Sequence, residues 1–332
     1  MASVAGVSTM TVSNTLTGRR PVSDDARRRV LQAVDELGYQ VNVAARNLRQ
    51  GRTGIVGLAV PVIDSQYFGL LASLFVRRFA REGLTLVVEE TGGGREGEIA
   101  ALRGSRLNAY DGLVLSAVGL RDGEVDAVRG DLPVVVLGER PFRERVDHVS
   151  MANLEGSAAA ARLLLDRGAR RLALVGGPPL DDLETPGPTA VRTFVLRARG
   201  FLGAVREVEG ATAVSVDRGS AMADGAAAVA DLLERGGEVD GLVCVTDTLA
   251  FGAVRALVDR GIRVPDDVLV VGFDDVQEAR FSVPSLSTVA PGHDRIVGEA
   301  TRLLLRRMAD RSAEPELVVA PFRVVEREST GG

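Results

Sequence analysis

Short apolar runs alternate with longer amphipathic stretches through most of the chain, from residue 54 onward. The apolar runs have the length of buried strands, and they are IVGLAVPV, LTLVVEE, GLVLSAV, PVVVLG, RLALVGG, GLVCVTD and VLVVGFDD. Between them, apolar residues recur at helical spacing, as in FGLLASLFVRRFAREG, GSAAAARLLLDRG, GAAAVADLLERGG and LAFGAVRALVDRG. This alternation predicts parallel sheets flanked by helices on both faces. Seven such runs favour two lobes over a single sheet.

The N-terminal segment has a different pattern, with short polar helical stretches instead of strand-like runs. Ser8 is a good N-cap for a helix over 9–16, in which Val12 and Leu16 share the buried face. Ser23 caps a further helix with an acidic first turn, and Gly38 ends it. The apolar stripe of that helix is predicted to contain Val30, Leu31, Val34 and Leu37. Short helices joined by a Gly-containing turn predict a helix-turn-helix domain.

The charge is unevenly distributed along the chain. Residues 1–52 carry eight arginines against four acids, a balance of +4, which leaves −9 for the rest of a chain whose net charge is −5. Every basic residue is an arginine. A small basic segment ahead of a large acidic body suggests that only the first part meets phosphate, although a solvated Arg-rich leader has the same composition.

The candidate chemistry argues against an enzyme. Gly92-Gly93-Gly94 and Gly176-Gly177 lack the spacing of phosphate-binding loops and are interpreted as turns. His148 and His293 stand apart without neighbouring ligands, and Cys244 lies in an apolar run typical of a buried thiol. We therefore expect no catalytic site, no metal and no cofactor. The chain has no apolar run of membrane-spanning length and no secretory leader, so a cytoplasmic, nucleoid-associated protein is expected.

Several spaced motifs resemble one family closely and in order. They are AGVSTMTVSNTLTG, VSDDARRRVLQAVDELGY, NVAARNLRQGRTGIVGLAVP, DGLVCVTDTLAFGAVRALVDRGIRVPDDVLVVGFDD and VPSLSTV, and the family is the LacI/GalR, or lactose-repressor, type of bacterial transcriptional regulators. The resemblance spans essentially the whole chain. It implies a small all-α helix-turn-helix domain followed by an α/β two-lobed periplasmic-binding-protein-like domain.

The resemblance also implies domain boundaries. The DNA reader would occupy 1–40, a hinge helix or linker 41–52, and the effector-binding and dimerisation domain 53–330. Because the chain of such proteins crosses between lobes three times, both lobes are expected to be discontinuous. One would contain 53–151 with 283–313, and the other 152–282 with 314–328.

DNA-contacting residues follow from the same resemblance. The recognition helix would present Thr9, Met10, Thr11 and Asn14 to base edges, while Arg19, Arg20 and Arg46 would contact phosphates. Residues 42–49 resemble the hinge helix that forms on operator DNA, with Asn42, Ala45 and Arg46 at the DNA and Leu48 as an apolar wedge in the minor groove. The alternatives are an exposed helix face without a partner and an ordinary linker.

One departure concerns the first helix, which in the family begins several residues before Met1 of this chain. Residues 1–5 can form only its last turn, so we expect the true start to lie upstream, with Met1 as an internal start codon.

Candidate effector residues lie at strand ends, where ligands bind in such folds. They are Tyr67, Phe68, Arg197, Asp247 and Asp274. Arginine and carboxylates can pair with hydroxyl groups, and aromatic rings can pack on a ring-shaped ligand. The alternatives are a structural ion pair and simple core packing. Thr246, Ala152 and Arg218 depart from common family residues, which makes a standard hexose pose uncertain.

Together these features predict a homodimeric repressor that binds double-stranded, near-palindromic operator DNA and responds to a small polar effector. A sugar is favoured over a purine, and induction over co-repression. Two alternatives stay open at this point. One is a solute-binding protein of the same fold without a DNA role. The other is a truncated repressor that binds its effector but binds DNA only weakly.

Overall fold

The computed structural model describes residues 1–17, 20–37, 52–107, 110–121, 123–139, 146–184 and 193–332. These form two compact units, Met1–Thr53 and Gly54–Gly332.

The first unit contains three helices: α1 (Ala2–Ala5), α2 (Thr9–Thr17) and α3 (Asp24–Glu36). The predicted caps are present, because the amide of Thr11 donates to Ser8 Oγ over 3.0 Å and that of Ala26 to Ser23 Oγ over 3.4 Å. Gly6 turns the chain after α1 with φ 60°. The small core contains Ala5, Val30 and Ala33, with Met1, Val7 and Val12 packed against it.

The predicted apolar stripe of α3 was partly wrong. Leu31 and Leu37 are each 49% exposed, and the buried positions are Ala26, Val30 and Ala33. These three follow an i, i+4, i+7 spacing on one face, whereas Leu31 lies one residue further round the helix. The prediction favoured large apolar side chains, whereas two of the three buried positions are alanines. The end of the helix predicted at Gly38 lies outside the described residues.

The second unit begins with a six-stranded, fully parallel sheet in the order β11-β5-β4-β3-β1-β2. Its strands are β1 (Ile55–Val60), β2 (Thr85–Glu90), β3 (Gly112–Ser116), β4 (Val134–Leu137), β5 (Asp147–Met151) and β11 (Leu317–Ala320). Four helices accompany it: α4 (Gln66–Arg81), α5 (Arg95–Leu107), α6 (Glu124–Arg129) and α11 (His293–Ala309). Separate apolar clusters form on its two faces, one with α4 and α11 and one with α5 and α6. We call this sheet and its helices the first lobe.

A second six-stranded sheet, in the order β12-β10-β9-β8-β6-β7, forms the second lobe. Its strands are β6 (Arg171–Val175), β7 (Thr212–Val216), β8 (Gly241–Cys244), β9 (Leu269–Phe273), β10 (Ser287–Ala290) and β12 (Arg323–Val325), the last antiparallel to β10. Its helices are α7 (Asn153–Asp166), α8 (Thr193–Arg206), α9 (Met222–Glu234) and α10 (Asp247–Val258), with 3-10 turns at Leu180–Glu184, Gln277–Arg280 and Glu328–Thr330. One apolar core belongs to this lobe. The predicted fold class is thereby confirmed.

The chain crosses between the lobes three times, but two crossings differ from the expected positions. The segment 283–290 was assigned to the first lobe, yet β10 pairs with β9 of the second sheet, Ser287 opposite Val271. The segment 314–320 was assigned to the second lobe, yet β11 pairs with β5 of the first sheet, Leu317 opposite His148. The crossings therefore lie near 152, 291 and 321. Two short apolar strands look alike in sequence, and only their partners show to which sheet they belong.

A buried cluster of charged side chains lies at the start of β5 in the first sheet. Asp147 is fully buried at the start of β5, and its carboxylate accepts from Arg307 Nε over 2.9 Å, Arg306 Nη2 over 2.6 Å and the amide of Glu316 over 3.0 Å. One carboxylate thus joins β5 to α11 and to the segment that enters β11.

No helix within the described ranges is both long and apolar enough to cross a membrane.

Replacing Asp147 with alanine is expected to lower the free energy of unfolding by about 3–5 kcal/mol, because the buried Arg307 guanidinium then lacks a counter-charge. Asp131→Ala is the matched control, since that carboxylate is exposed and reaches Arg311 only at 4.0 Å. The control is expected to change stability by less than about 1 kcal/mol. Urea denaturation of both variants measures the difference, and equal losses would contradict the assignment.

Candidate functional site

The surface of α2 carries polar and apolar side chains that take no part in the small core of the first unit. Thr9 is exposed, Thr11 and Asn14 are half-buried, and Met10 is 67% exposed. These side chains are therefore free of the core of this unit, although a single exposed apolar side chain is common on protein surfaces. Arg20 is exposed as well. The remaining predicted DNA contacts lie outside the described residues, and they are Arg19, Asn42, Ala45, Arg46 and Leu48.

In the second unit, the structure gathers several charged groups between the two lobes. Tyr67 lies in the first turn of α4, which follows β1, and its environment contains the charges of Asp274, Arg197 and Glu139. Burial is the main cause that raises the pKa of the Tyr67 hydroxyl above its usual range, and Asp274 adds to it. Phe68 packs edge-on against Tyr67 with ring centroids 5.0 Å apart and also contacts the first-lobe core.

Arg197 lies within α8, and only 2% of its surface is exposed. Its Nε donates to Asn153 Oδ1 over 2.7 Å, and its Nη1 donates to the carbonyl of Val245. The guanidinium carbon lies 3.5 Å from the centroid of the Phe273 ring, and Nη2 lies 3.6 Å from Asp274 Oδ1. Burial lowers the pKa of Arg197, and the nearby carboxylates partly offset this. A planar cation stacked on a ring and bonded at its edges is held in one orientation.

Asp274 follows β9 in an unusual backbone conformation. Among the described residues, the non-glycine residues with positive φ are Asp274 at 121° and Asp275 at 47°. Such conformations cost on the order of 1–3 kcal/mol each and cluster at functional sites. The amide of Asp274 donates to the carbonyl of Val289 over 2.9 Å, and Asp275 pairs with Arg327 at 2.6 Å. Burial raises the pKa of Asp274 to about 7, although Arg197 opposes the shift.

Asp247 begins α10 and is fully buried. Its Oδ1 accepts from the hydroxyl of Thr288 over 2.5 Å, and its Oδ2 accepts from the amide of Val276 over 2.9 Å. Burial, reinforced by the charge of Asp274, raises its pKa to about 8. Because one oxygen already binds the loop that follows Asp274 and the other binds Thr288 in β10, the geometry favours a positioning role. Direct contact between Asp247 and an effector stays a prediction.

Two further groups of this site, Glu139 and His293, were not among the residues predicted from the sequence. Glu139 follows β4 and accepts from the amide of Met151 over 3.3 Å, and burial raises its pKa to about 7. Glu139 directly follows the strand-like run PVVVLG, and Asp247 stands at the end of GLVCVTD. The rule that ligands bind at the ends of strands therefore predicts Glu139 as well. His293 begins α11 with its ring centroid 6.0 Å from that of Tyr67, and burial lowers its pKa. The sequence offered His293 neither metal ligands nor triad partners nearby, so it was not among the predicted effector residues.

The raised pKa of Asp274 predicts how the free energy of unfolding depends on pH. The folded-state pKa of about 7 exceeds the ordinary value of about 4, so this group stabilises the fold fully below pH 4 and loses that contribution as the pH rises to 7. Asp274→Asn should therefore flatten the pH dependence of the free energy of unfolding, by on the order of 2–4 kcal/mol between pH 4 and pH 7.5.

Urea denaturation at the two pH values measures this change, and only the slope is diagnostic because the variant also loses an ion-pair partner of Arg197. Asp181→Asn, at an exposed aspartate, is the control and should keep the wild-type slope. A variant at position 274 with the wild-type slope would show that this carboxyl is not buried as described.

Comparisons with known proteins agree with both units. Residues 1–42 match the family described as bacterial regulatory proteins, lacI family, and residues 161–330 match the periplasmic binding protein-like domain. The chain is 31% identical to the ribose operon repressor of Halalkalibacterium halodurans over 100% of this chain and 96% of that protein. It is 28% identical to the HTH-type transcriptional repressor PurR of Histophilus somni over 99% of this chain and 97% of that one.

Among solved structures, a putative transcriptional regulator of the LacI family from Sanguibacter keddieii superposes with a TM-score of 0.76 at 40% identity. The match covers 85% of this chain and 100% of that one. The matches over the full length of the chain agree with the two units of the structure, the helix-turn-helix unit and the two-lobed unit. The protein is therefore a DNA-binding transcriptional regulator of the lacI family.

Proposed function

We propose that this protein is a homodimeric repressor whose affinity for a near-palindromic operator is controlled by a small polar effector, a sugar, bound between the lobes. The observation that carries this proposal is the gathering of Tyr67, Glu139, Arg197 and Asp274 between the lobes of a chain that also has a helix-turn-helix unit. As a DNA-bound regulator it would act in the cytoplasm, on the nucleoid, and we propose no enzymatic role.

The DNA contacts in this proposal come from α2 and the segments that follow it. Thr9, Met10, Thr11 and Asn14 would meet base edges, with Asn14 suited to adenine and Met10 to a thymine methyl group. Arg19, Arg20 and Arg46 would contact phosphates, while Asn42, Ala45 and Leu48 would belong to the hinge. The exposure of Met10 and the balance of +4 over 1–52 support this part.

The effector contacts come from both lobes. Arg197 and Asp274 offer a donor fork and an acceptor to neighbouring hydroxyls, and the rings of Tyr67 and Phe68 offer an apolar face to a sugar ring. Asp247 supports Asp274 through the Val276 amide. The relative that is a ribose operon repressor favours a sugar over a purine.

Control of DNA binding would follow from movement of the lobes. An effector that closes the cleft rotates one lobe against the other and changes the spacing of the two hinge segments in the dimer. The coupling between the two ligands is reciprocal and typically amounts to about 1–3 kcal/mol. We favour induction, in which the effector releases the operator. The alternative, a solute-binding protein without a DNA role, does not account for residues 1–42.

Selection of bound duplexes from a random DNA pool tests the DNA-binding part. The chain should enrich a palindrome whose half-sites lie about one helical turn apart. Asn14→Ala should weaken binding to that palindrome about 5- to 150-fold, equivalent to about 1–3 kcal/mol, because one base-edge contact is lost. Ser3→Ala, on the exposed side of α1, is the control. The absence of any enriched duplex would favour the other alternative, a truncated repressor that binds its effector but has lost its operator.

A thermal-shift series tests the effector part, with ribose, hexoses, disaccharides and free purines as probes. One of the sugars should raise the melting temperature, and Arg197→Met should abolish that rise because the planar donor fork is lost. Arg206→Met is the control on the same helix, since that side chain is exposed at the C-terminal end of α8. A response to purines alone would contradict the sugar assignment.

A further inference from the structure

A hydrogen bond joins the two lobes, and its two residues lie far in sequence from all three crossovers. The hydroxyl of Thr248 in α10 donates to Oε1 of Gln66 in α4 over 2.8 Å. Gln66 belongs to the first lobe and Thr248 to the second. Both side chains are half-buried, so the bond is partly shielded from bulk water.

The crossovers themselves form a compact hinge. Gly292 has φ 77°, and a Cβ placed on it would lie 2.5 Å from the carbonyl oxygen of Pro321. The second and third crossovers therefore touch, and only glycine fits at the contact. The apolar cores of the lobes are separate clusters, so relative motion of the lobes leaves both cores intact. Contacts at the cleft then have a large influence on the angle between the lobes.

The bridge is adjacent in sequence to the candidate effector site on both sides. Gln66 precedes Tyr67 in the first turn of α4, and Thr248 follows Asp247 in the first turn of α10. A groove of 370 Å³ opens beside Gln66, with the rings of Phe251 and Phe281 in its lining, and gives the amide room to swing away. Any ligand that moves these first turns must strengthen or break the bridge.

We propose that the Gln66–Thr248 hydrogen bond is a latch that stabilises the bridged arrangement of the two lobes. It thereby sets the equilibrium on which the effector acts. Its role in regulation rests on the function proposed above, whereas its effect on the lobes does not. The pair is an amide and a hydroxyl, neither of which titrates near neutral pH, so the latch is independent of pH in that range.

The strength of such a latch suits a regulatory equilibrium. A net neutral hydrogen bond shifts a two-state equilibrium by roughly two- to tenfold. This is smaller than the affinity difference by which a ligand drives a complete conformational change, so an effector can overcome it. It is still large enough to set the basal population of the bridged state.

Distance measurements by pulsed electron resonance test the latch without DNA or effector. Spin labels at Arg103→Cys in α5 and Arg235→Cys after α9 report one lobe each, since both positions are exposed. Cys244 is buried and should stay unlabelled, which labelling of the parent chain verifies. The variants are Thr248→Val, Gln66→Leu and their combination. Ser73→Ala is the control, because that hydroxyl bonds to the Gly69 carbonyl within α4.

Each single variant should raise the population of lobes that lack the bridged distance by roughly two- to tenfold relative to the parent. The double variant should raise it no further, because both changes remove the same bond. The control should keep the parent distribution, and circular dichroism should show equal helix content throughout. An unchanged distribution in both single variants, or additive shifts in the double variant, would overturn the latch.

Operator affinity then separates the latch from the proposed function. On the palindrome recovered by selection, Thr248→Val should change the dissociation constant by the factor by which the population of the DNA-binding arrangement changes. A shift in distances without a change in operator affinity would overturn the regulatory role while leaving the DNA-binding assignment intact. Failure to recover any palindrome would count against the proposed function, and the distance result would still decide the latch.

Discussion

The cleft of the second unit depends on one buried guanidinium. Arg197 donates to Asn153, which directly follows the first crossover, and to the carbonyl of Val245 after β8, while it stacks on Phe273 at the end of β9. It therefore ties together the carboxyl ends of two strands and the chain that enters the second lobe. A cation is costly to bury, and the cost is offset only because stacking, hydrogen bonds and Asp274 act together. Any ligand that engages Arg197 also engages the start of the crossover.

The same region concentrates groups that a fold selected for stability alone would avoid. Asp247, Asp274 and Glu139 are buried carboxyl groups with raised pKa values, and Asp274 and Asp275 have strained backbone angles. Hydrogen bonds from Thr288 and Val276, and the ion pair with Arg327, maintain this arrangement. Strain kept in place by surrounding contacts is typical of a binding site, because stability is exchanged there for preorganised polar groups.

The sequence predicted the local features well and the tertiary ones less well. Strand-like runs such as RLALVGG and helix caps such as Ser23 depend on nearest neighbours, and both are present in the structure. The lobe membership of β10 and β11 depends on pairing partners that lie far away in sequence, so it was misassigned. Asp247 was recognised as important from its place after a strand, but only the structure shows that Thr288 and Val276 occupy both of its oxygens. Composition alone does not distinguish a carboxylate that binds a ligand from one that orders a loop.

The uneven charge of the chain bears on how a modest change between the lobes can control DNA binding. The segment 1–52 has a balance of +4, whereas the remaining chain carries −9 and is repelled by phosphate. In the proposed function, nonspecific attraction to DNA would come mainly from the first segment, and affinity would depend strongly on salt. Because the acidic body would add little attraction of its own, a typical coupling of about 1–3 kcal/mol between the proposed effector and the operator would act against a small nonspecific background. A protein with a strongly basic body would need a far larger change to leave its operator.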